Sequence, residues 1–142
     1  MLVLFIDDDP DDFEIFCEAL KKIDPEAKCL HSEDGGCAIT LLNDLTDLPD
    51  YIFLDINMPI MDGWECLKAL RNDRKYLDIP VIIYSTSYMR RDVEKAYALG
   101  ATLFITKPEN FNELCLILKI IGSTSANLSA STLADFACVK MP

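Results

Sequence analysis

The chain has 142 residues, 51% of them hydrophobic, which fits one folded domain with a sizeable core. Its formal net charge of -11 argues against direct binding to a nucleic acid or to an anionic membrane, because both carry negative charge. No apolar run reaches the roughly 18 to 20 residues that a membrane span requires, and the N-terminus lacks the basic segment of a signal peptide. We therefore expect a cytoplasmic protein that binds a cation or a basic protein surface.

Five apolar runs alternate with five amphipathic segments over the first 121 residues. The apolar runs are predicted to be strands, at residues 2–6, 27–31, 51–55, 81–84 and 102–105. The amphipathic segments are predicted to be helices, at residues 10–24, 37–43, 64–71, 90–99 and 111–121. Helical crossovers between short buried strands indicate a parallel sheet with helices on both faces. The expected fold class is therefore α/β, with a doubly wound sheet of five parallel strands.

Polar side chains follow the predicted strands where each one ends. They are Asp7 and Asp8 after the first strand, Asp55 as the last residue of the third, Ser85 after the fourth and Lys107 after the fifth. Right-handed crossovers bring the carboxyl ends of all five strands to one edge, where three close carboxylates favour a hard cation such as Mg²⁺. A cation, an ammonium group and a hydroxyl around a carboxylate can stabilise a phosphoryl group on that carboxylate, so Asp55 is the candidate nucleophile.

Four short segments resemble motifs of the receiver domain of two-component response regulators. They are Ile6-Asp7-Asp8-Asp9, Phe53-Leu54-Asp55-Ile56-Asn57-Met58-Pro59 with Met61-Asp62-Gly63, Ile83-Tyr84-Ser85 and Thr106-Lys107-Pro108. In the second segment, Pro59 is predicted to end the extended segment that follows the strand. The resemblance covers residues 1–121 and implies a flavodoxin-like (βα)5 fold. It also implies that the aspartate after the third strand accepts a phosphoryl group from a histidine kinase or a histidine phosphotransfer protein.

The resemblance further implies roles for individual residues. Asp55 matches the phosphoacceptor, and Lys107 matches the lysine that pairs with a phosphoryl oxygen. Asp8 and Asp55 would bind Mg²⁺ directly, Asp7 would bind it mainly through water, and the backbone carbonyl of Asn57 would be a further ligand. We therefore expect a metal-dependent phosphoacceptor site.

Other positions match the switch that reports phosphorylation. Ser85 matches the hydroxyl that moves toward the phosphoryl group, and Phe104 matches the aromatic residue that turns inward with it. The Lys-Pro pair that includes Pro108 is expected to have a cis peptide bond. Thr86 stands where the family commonly has Ala or Gly, and together with Asn57 and Ser87 it flanks the path of attacking water. We expect these flanks to set the lifetime of the acyl phosphate.

Residues 122–142 form a tail rich in Ser, Ala and Thr that lies outside the resemblance. The tail opens with small polar residues and closes with a weakly amphipathic segment, a composition typical of a flexible linker followed by one short helix. A frayed tail is one alternative. Docking of the apolar end on its own domain or on a second copy of the chain, as a homodimer, is another.

Three classes of function remain open at this point. The leading one is a stand-alone receiver that changes shape on phosphorylation and alters contact with an output protein that the sequence does not identify. The second is a phosphorelay intermediate, which would use every one of the same site residues. The third is a phosphatase like the haloacid dehalogenases, but that family has a second acid where this chain has Asn57. We therefore expect no enzymatic activity beyond the protein's own phosphorylation and dephosphorylation.

Overall fold

A computed structural model describes residues 1–58, 61–124 and 127–142. Pro59 lies outside the described residues, as does part of the predicted linker, at residues 125–126. Within the described ranges, no helix combines the length and the apolar character that a membrane crossing would need.

Strands and helices alternate along the chain as the hydrophobic periodicity predicts. The strands are β1 (Leu2–Ile6), β2 (Lys28–Ser32), β3 (Tyr51–Leu54), β4 (Val81–Ser85), β5 (Leu103–Thr106) and the short β6 (Val139–Lys140). The helices are α1 (Pro10–Ile23), α2 (Gly35–Asp44), α3 (Gly63–Asn72), α4 (Arg90–Ala98) and α5 (Phe111–Ser123), with short 3-10 helices at Arg74–Tyr76 and Ala130–Leu133.

The strands form one sheet in the order β2-β1-β3-β4-β5-β6. The first five strands pair in parallel, which confirms the doubly wound parallel sheet. The predicted number of five strands was wrong, because β6 adds a sixth strand that runs antiparallel to β5. Two residues are too short a segment to show a strand periodicity, and β6 forms only because β5 offers it a free edge.

Each face of the sheet is covered by its own apolar core. Phe5, Phe53 and Tyr84 face α1 and α5 and pack with fully buried residues such as Phe16. Alternate residues of the same strands, such as Ile83, belong to the opposite core beneath α2, α3 and α4. Burying one such large side chain contributes roughly 1.5–3 kcal/mol, so the two cores hold the strand ends in fixed register.

Side-chain caps set where four of the helices begin. Asp9, Asp34, Asp62 and Asn110 each accept a hydrogen bond from a backbone N–H in the first turn of α1, α2, α3 and α5. Asp62 and Gly63 are the cap and the first residue of α3. A Cβ at Gly63 would overlap the carbonyl oxygen of Asp55, so only glycine lets α3 start this close to β3.

The tail packs on its own domain. Ala130, Leu133 and Val139 are buried in the same core as α1 and α5. The backbone N–H of Thr106 donates to the carbonyl of Cys138 at 2.8 Å, at the end of the β5–β6 pair. The tail contains the 3-10 helix Ala130–Leu133, and the strand Val139–Lys140 follows it after a short turn. Of the alternatives, docking on its own domain is the arrangement that this structure shows.

Candidate functional site

Asp7 and Asp55 lie side by side at the carboxyl edge of the sheet because β1 and β3 are paired. The backbone N–H of Asp55 donates to the carbonyl of Ile6 at 2.9 Å, directly before Asp7. The Oδ1 atom of Asp7 accepts the backbone N–H of Asp9 at 2.9 Å, and Oδ1 of Asp55 accepts that of Asn57 at 3.3 Å. Local backbone groups therefore fix both carboxylates.

Asp7, Asp8 and Asp55 form an acidic group that can hold a divalent metal ion. Each of the three offers a carboxylate oxygen, and these oxygens lie within 4.8 Å of one another. Asp7 and Asp55 are buried, whereas Asp8 is exposed, so the group opens to solvent on one side. Oxygen ligands at this spacing suit a hard divalent cation.

Burial and mutual repulsion make the negative charge of this group costly. The pKa of Asp55 is raised to about 6, first by burial and then by the charges of Asp7 and Asp8, while Lys107 and the N–H of Asn57 oppose the shift. The pKa of Asp7 is also raised by burial, against the hydrogen bond from Lys107. A bound cation would remove this cost, which is why the donor set fits a metal ion.

Lys107 reaches the acidic group from the end of β5. Its backbone N–H donates to the carbonyl of Ser85 at 2.7 Å, which ties the ends of β5 and β4 together. Its Nζ atom donates to Oδ2 of Asp7 at 2.7 Å and to Oδ2 of Asp12 at 2.6 Å, and lies 4.0 Å from Oδ2 of Asp55. Burial alone would lower the pKa of Lys107, but the hydrogen bonds with Asp12 and Asp7 outweigh it and the pKa is raised. The ammonium group therefore stays charged.

Ser85 lies at the end of β4 and is fully buried. Its Oγ atom accepts the backbone N–H of Ser87 at 3.2 Å, and the carbonyl of Ser87 accepts Oγ1 of Thr106 at 2.9 Å. The Oγ atom of Ser87 in turn donates to Oδ2 of Asp92 at 2.6 Å, at the start of α4. Thr86, between the two serines, is exposed. A displacement of Ser85 would thus be transmitted directly to α4.

Phe104 is fully buried beneath α4, in the inward position. Its backbone N–H donates to Oη of Tyr97 at 3.2 Å, and that hydroxyl donates to the carbonyl of Lys140 at 2.6 Å. The expected cis bond before Pro108 was wrong, because no described peptide bond is cis. A peptide bond before proline favours the trans form by roughly 0.5–1 kcal/mol. With the Lys107–Pro108 bond in this form, the side chain of Lys107 still reaches the acidic group.

Two residues at the site were not singled out from the sequence. Asp12 lies in the first turn of α1, where the helix dipole favours negative charge. His31 donates from Nε2 to the backbone carbonyl of Asp7 at 2.8 Å, and its ring stacks on Phe13. A signal for Asp12 exists, because side chains in a first turn tilt back toward the preceding strand end. His31 carries no comparable signal.

Known response regulators are similar to this chain. The model of the response regulator receiver domain matches residues 3–119. Response regulator Rcp1 of Synechocystis sp. is 28% identical over 127 residues, which cover 86% of this chain and 86% of Rcp1. Other relatives are longer: the sensor histidine kinase CheAY of Helicobacter pylori is 30% identical over 83% of this chain, which spans 14% of that kinase.

Solved structures show the same likeness. The crystal structure of the phosphorylated cyanobacterial phytochrome response regulator RcpA matches with a TM-score of 0.79 and 29% identity, over 88% of this chain and 93% of RcpA. The Mn(2+)-bound form of Rcp1 matches with a TM-score of 0.75 and 28% identity, over 86% and 91% of the two chains. Since the family match extends from residue 3 to residue 119, the chain belongs to the response regulator receiver domain family.

Proposed function

We propose that this receiver accepts a phosphoryl group on Asp55 from a histidine kinase or a histidine phosphotransfer protein and signals through altered contact with another protein. The receiver unit in this proposal is residues 1–121. Receiver domains generally take phosphoryl groups from histidine kinases, and one relative of this chain is itself a sensor histidine kinase. The observation that carries the proposal is the buried Asp55 carboxylate, which shares its acidic group with Asp7 and Asp8 and has the Lys107 ammonium 4.0 Å away.

We assign Mg²⁺ as the metal ion of this reaction. Asp8 and Asp55 would bind it directly, Asp7 mainly through water, and the backbone carbonyl of Asn57 would be another ligand. The Mn(2+)-bound form of Rcp1 supports a divalent ion in a protein of this fold. When bound, the ion supplies positive charge that stabilises the phosphoryl oxygens.

The chain's own residues perform the transfer. A carboxylate oxygen of Asp55 attacks the donor's phosphorus, an O–P bond forms, and the P–N bond of the phosphohistidine breaks with its electron pair on the leaving imidazole, which then takes a proton from solvent. At pH 7 and above Asp55 is mostly ionised, because its pKa is about 6. Lys107 lies close enough for its ammonium to pair with a phosphoryl oxygen on Asp55, which stabilises the charge of the transferred group.

Ser85 and Phe104 form the switch in this proposal. Ser85 would leave its hydrogen bond with the N–H of Ser87 and turn its hydroxyl toward the phosphoryl group. Since Ser87 is hydrogen-bonded to Asp92, the start of α4 would move together with the loop that follows Ser85. Phe104 already occupies the inward position beneath α4 and would hold the shifted arrangement. The result is a changed surface at α4 that a partner protein reads.

Chemical phosphorylation tests the proposal. The protein is incubated with acetyl phosphate and MgCl₂ and quenched in acid, and its intact mass is measured over time. We expect one phosphoryl group per chain, none in Asp55→Asn, and none when a chelator replaces the metal ion. Phosphorylation of Asp55→Asn to the level of the wild type would overturn the assignment.

The same protein samples distinguish a receiver from a hydrolase. A receiver forms one adduct, with beryllofluoride as well as with acetyl phosphate, and releases no product from a simple phosphomonoester. Repeated turnover of p-nitrophenyl phosphate would favour the phosphatase. Asn57 stands where a haloacid-dehalogenase-like enzyme has its second acid, so we expect no turnover. A relay intermediate would differ by passing the phosphoryl group back to a histidine phosphotransfer protein.

A further inference from the structure

The Lys107 ammonium is shared unequally among three carboxylates. Its Nζ atom is hydrogen-bonded to Asp12 at 2.6 Å and to Asp7 at 2.7 Å, but it stands 4.0 Å from Oδ2 of Asp55. Ion pairs in direct contact have N–O distances of about 2.7–2.9 Å, so Lys107 is not hydrogen-bonded to Asp55. The carboxylate that would act as nucleophile therefore has no direct hydrogen bond from the nearest cation.

Asp12 differs from the other two carboxylates in its place in the fold. It lies in the first turn of α1 and is not part of the acidic group of Asp7, Asp8 and Asp55. A cation held by that group would take up the charge of Asp7 and repel the ammonium of Lys107. Asp12 would then be the carboxylate partner left to Lys107.

An ammonium group without Asp12 has an obvious alternative position. Asp55 is buried and its Oδ2 atom lies only 4.0 Å from Nζ of Lys107, so a small movement of the ammonium would bring the two into direct contact. The same contact would occupy the oxygen that must attack phosphorus, and it would close the space that a phosphoryl oxygen needs between Nζ and Asp55. Asp12, as a second partner of Lys107 on α1, would prevent this contact.

We propose that Asp12 is a positioning residue, which holds the Lys107 ammonium away from the Asp55 carboxylate so that Asp55 stays free to attack and space remains for the phosphoryl group. This inference rests on the proposed phosphorylation of Asp55. Asp12 acts only through Lys107 and touches no reacting atom.

Phosphorylation kinetics test the proposal with a matched control. The second-order rate constant with acetyl phosphate and MgCl₂ is compared for wild type, Asp12→Asn and Asp11→Asn, which removes the same charge from the neighbouring exposed position of the same helical turn. We expect Asp12→Asn to be roughly fivefold slower, the equivalent of about 1 kcal/mol for a partly exposed ion pair. Asp11→Asn should react like wild type, and Asp12→Glu should recover most of the rate.

A double mutant separates positioning from a general loss of helix stability. If Asp12 acts through Lys107, Asp12→Asn has no further effect on the rate in a Lys107→Gln background. An equal slowing in both backgrounds, or the same slowing in Asp11→Asn, would overturn the proposal. So would a rate in Asp12→Asn that equals or exceeds that of wild type. Urea unfolding of each variant shows that the compared proteins are folded.

A measurement on the metal-free protein is independent of the reaction. In a sample with ¹⁵N-labelled lysine, the Lys107 ammonium signal is identified by its absence from Lys107→Gln. We expect this signal to shift in Asp12→Asn and to stay in place in Asp11→Asn. Identical spectra for the two Asn variants would contradict the contact. If wild type takes no phosphoryl group while the spectra behave as expected, the proposed function fails and the contact stands.

Discussion

Replacing the Asp55 carboxylate should stabilise the metal-free protein. In the folded state Asp55 is buried beside Asp7, and its pKa is raised from 3.8 to about 6. A shift of this size corresponds to about 3 kcal/mol of unfavourable free energy for the ionised form. Asp55→Asn removes the ionisable group and keeps the shape of the side chain, so its free energy of unfolding should exceed that of wild type by up to about 3 kcal/mol at pH 8.

The sign of the pH dependence follows from the direction of the shift. A carboxyl group whose pKa is raised by folding holds its proton more tightly in the folded state than in the unfolded state. Its contribution to stability is therefore lost as pH rises from about 4 through about 6. The difference in free energy of unfolding between Asp55→Asn and wild type should be about half as large at pH 5 as at pH 8. Above pH 7 the difference should level off, since the carboxyl is then ionised in both states.

Urea unfolding in a chelating buffer, followed by circular dichroism from pH 5 to pH 8, measures this difference. Asp11→Asn, which removes an exposed carboxylate from α1, is the control for net charge. Adding MgCl₂ should stabilise wild type and not Asp55→Asn, because only wild type keeps the complete acidic group. The reasoning is refuted if Asp55→Asn is no more stable than wild type at pH 8, or if the difference between them does not change with pH.

Two further variants test the switch region and the tail. Thr86→Ala should change the lifetime of an acyl phosphate on Asp55, because the resemblance to receiver domains implies that the exposed Thr86 flanks the path of attacking water. An acid-quenched time course of the intact mass measures the decay, and an unchanged rate would refute the role. Leu133→Ala should lower the free energy of unfolding by roughly 2–4 kcal/mol, because Leu133 is fully buried in the core that α1 and α5 share. The control Leu116→Ala, at an exposed position of α5, should cost less than about 0.5 kcal/mol in the same urea titration.

The parallel sheet and the position of the site were predictable because both follow from local pattern. Apolar runs of strand length alternate with helical periodicity, and that alternation admits few topologies. Once the sheet is parallel, Asp7, Asp55, Ser85 and Lys107 must meet at one edge, whatever the loops do. Helix bounds were predicted less well. α2 begins at Gly35, two residues before the predicted start, because the side chain of Asp34 caps it.

Glycine at the start of α2 shows why local propensity failed there. Glycine pairs usually indicate a turn, and the predicted helix accordingly begins only after the pair, at residue 37. In the structure a Cβ at Gly35 would lie 2.8 Å from Sδ of Met61 and 2.9 Å from Cβ of Cys66. The glycine therefore serves the close packing of α2 on the α3 region. Such a requirement belongs to a contact between distant segments, so no window of the sequence reveals it.

The same argument applies to Asp12 and to the tail. Two of the five carboxylates in residues 7–12, Asp7 and Asp12, bind Lys107. Which carboxylate of α1 does so depends on the rotation of the helix over the sheet. β6 exists because β5 has a free edge, and the tail is held there by Tyr97 and Thr106 as well as by its own apolar residues. Thr106 also donates to the loop after Ser85 and directly precedes Lys107. β5 therefore positions Lys107 and also binds the tail. A change at the site that moves β5 must also alter how the tail is held.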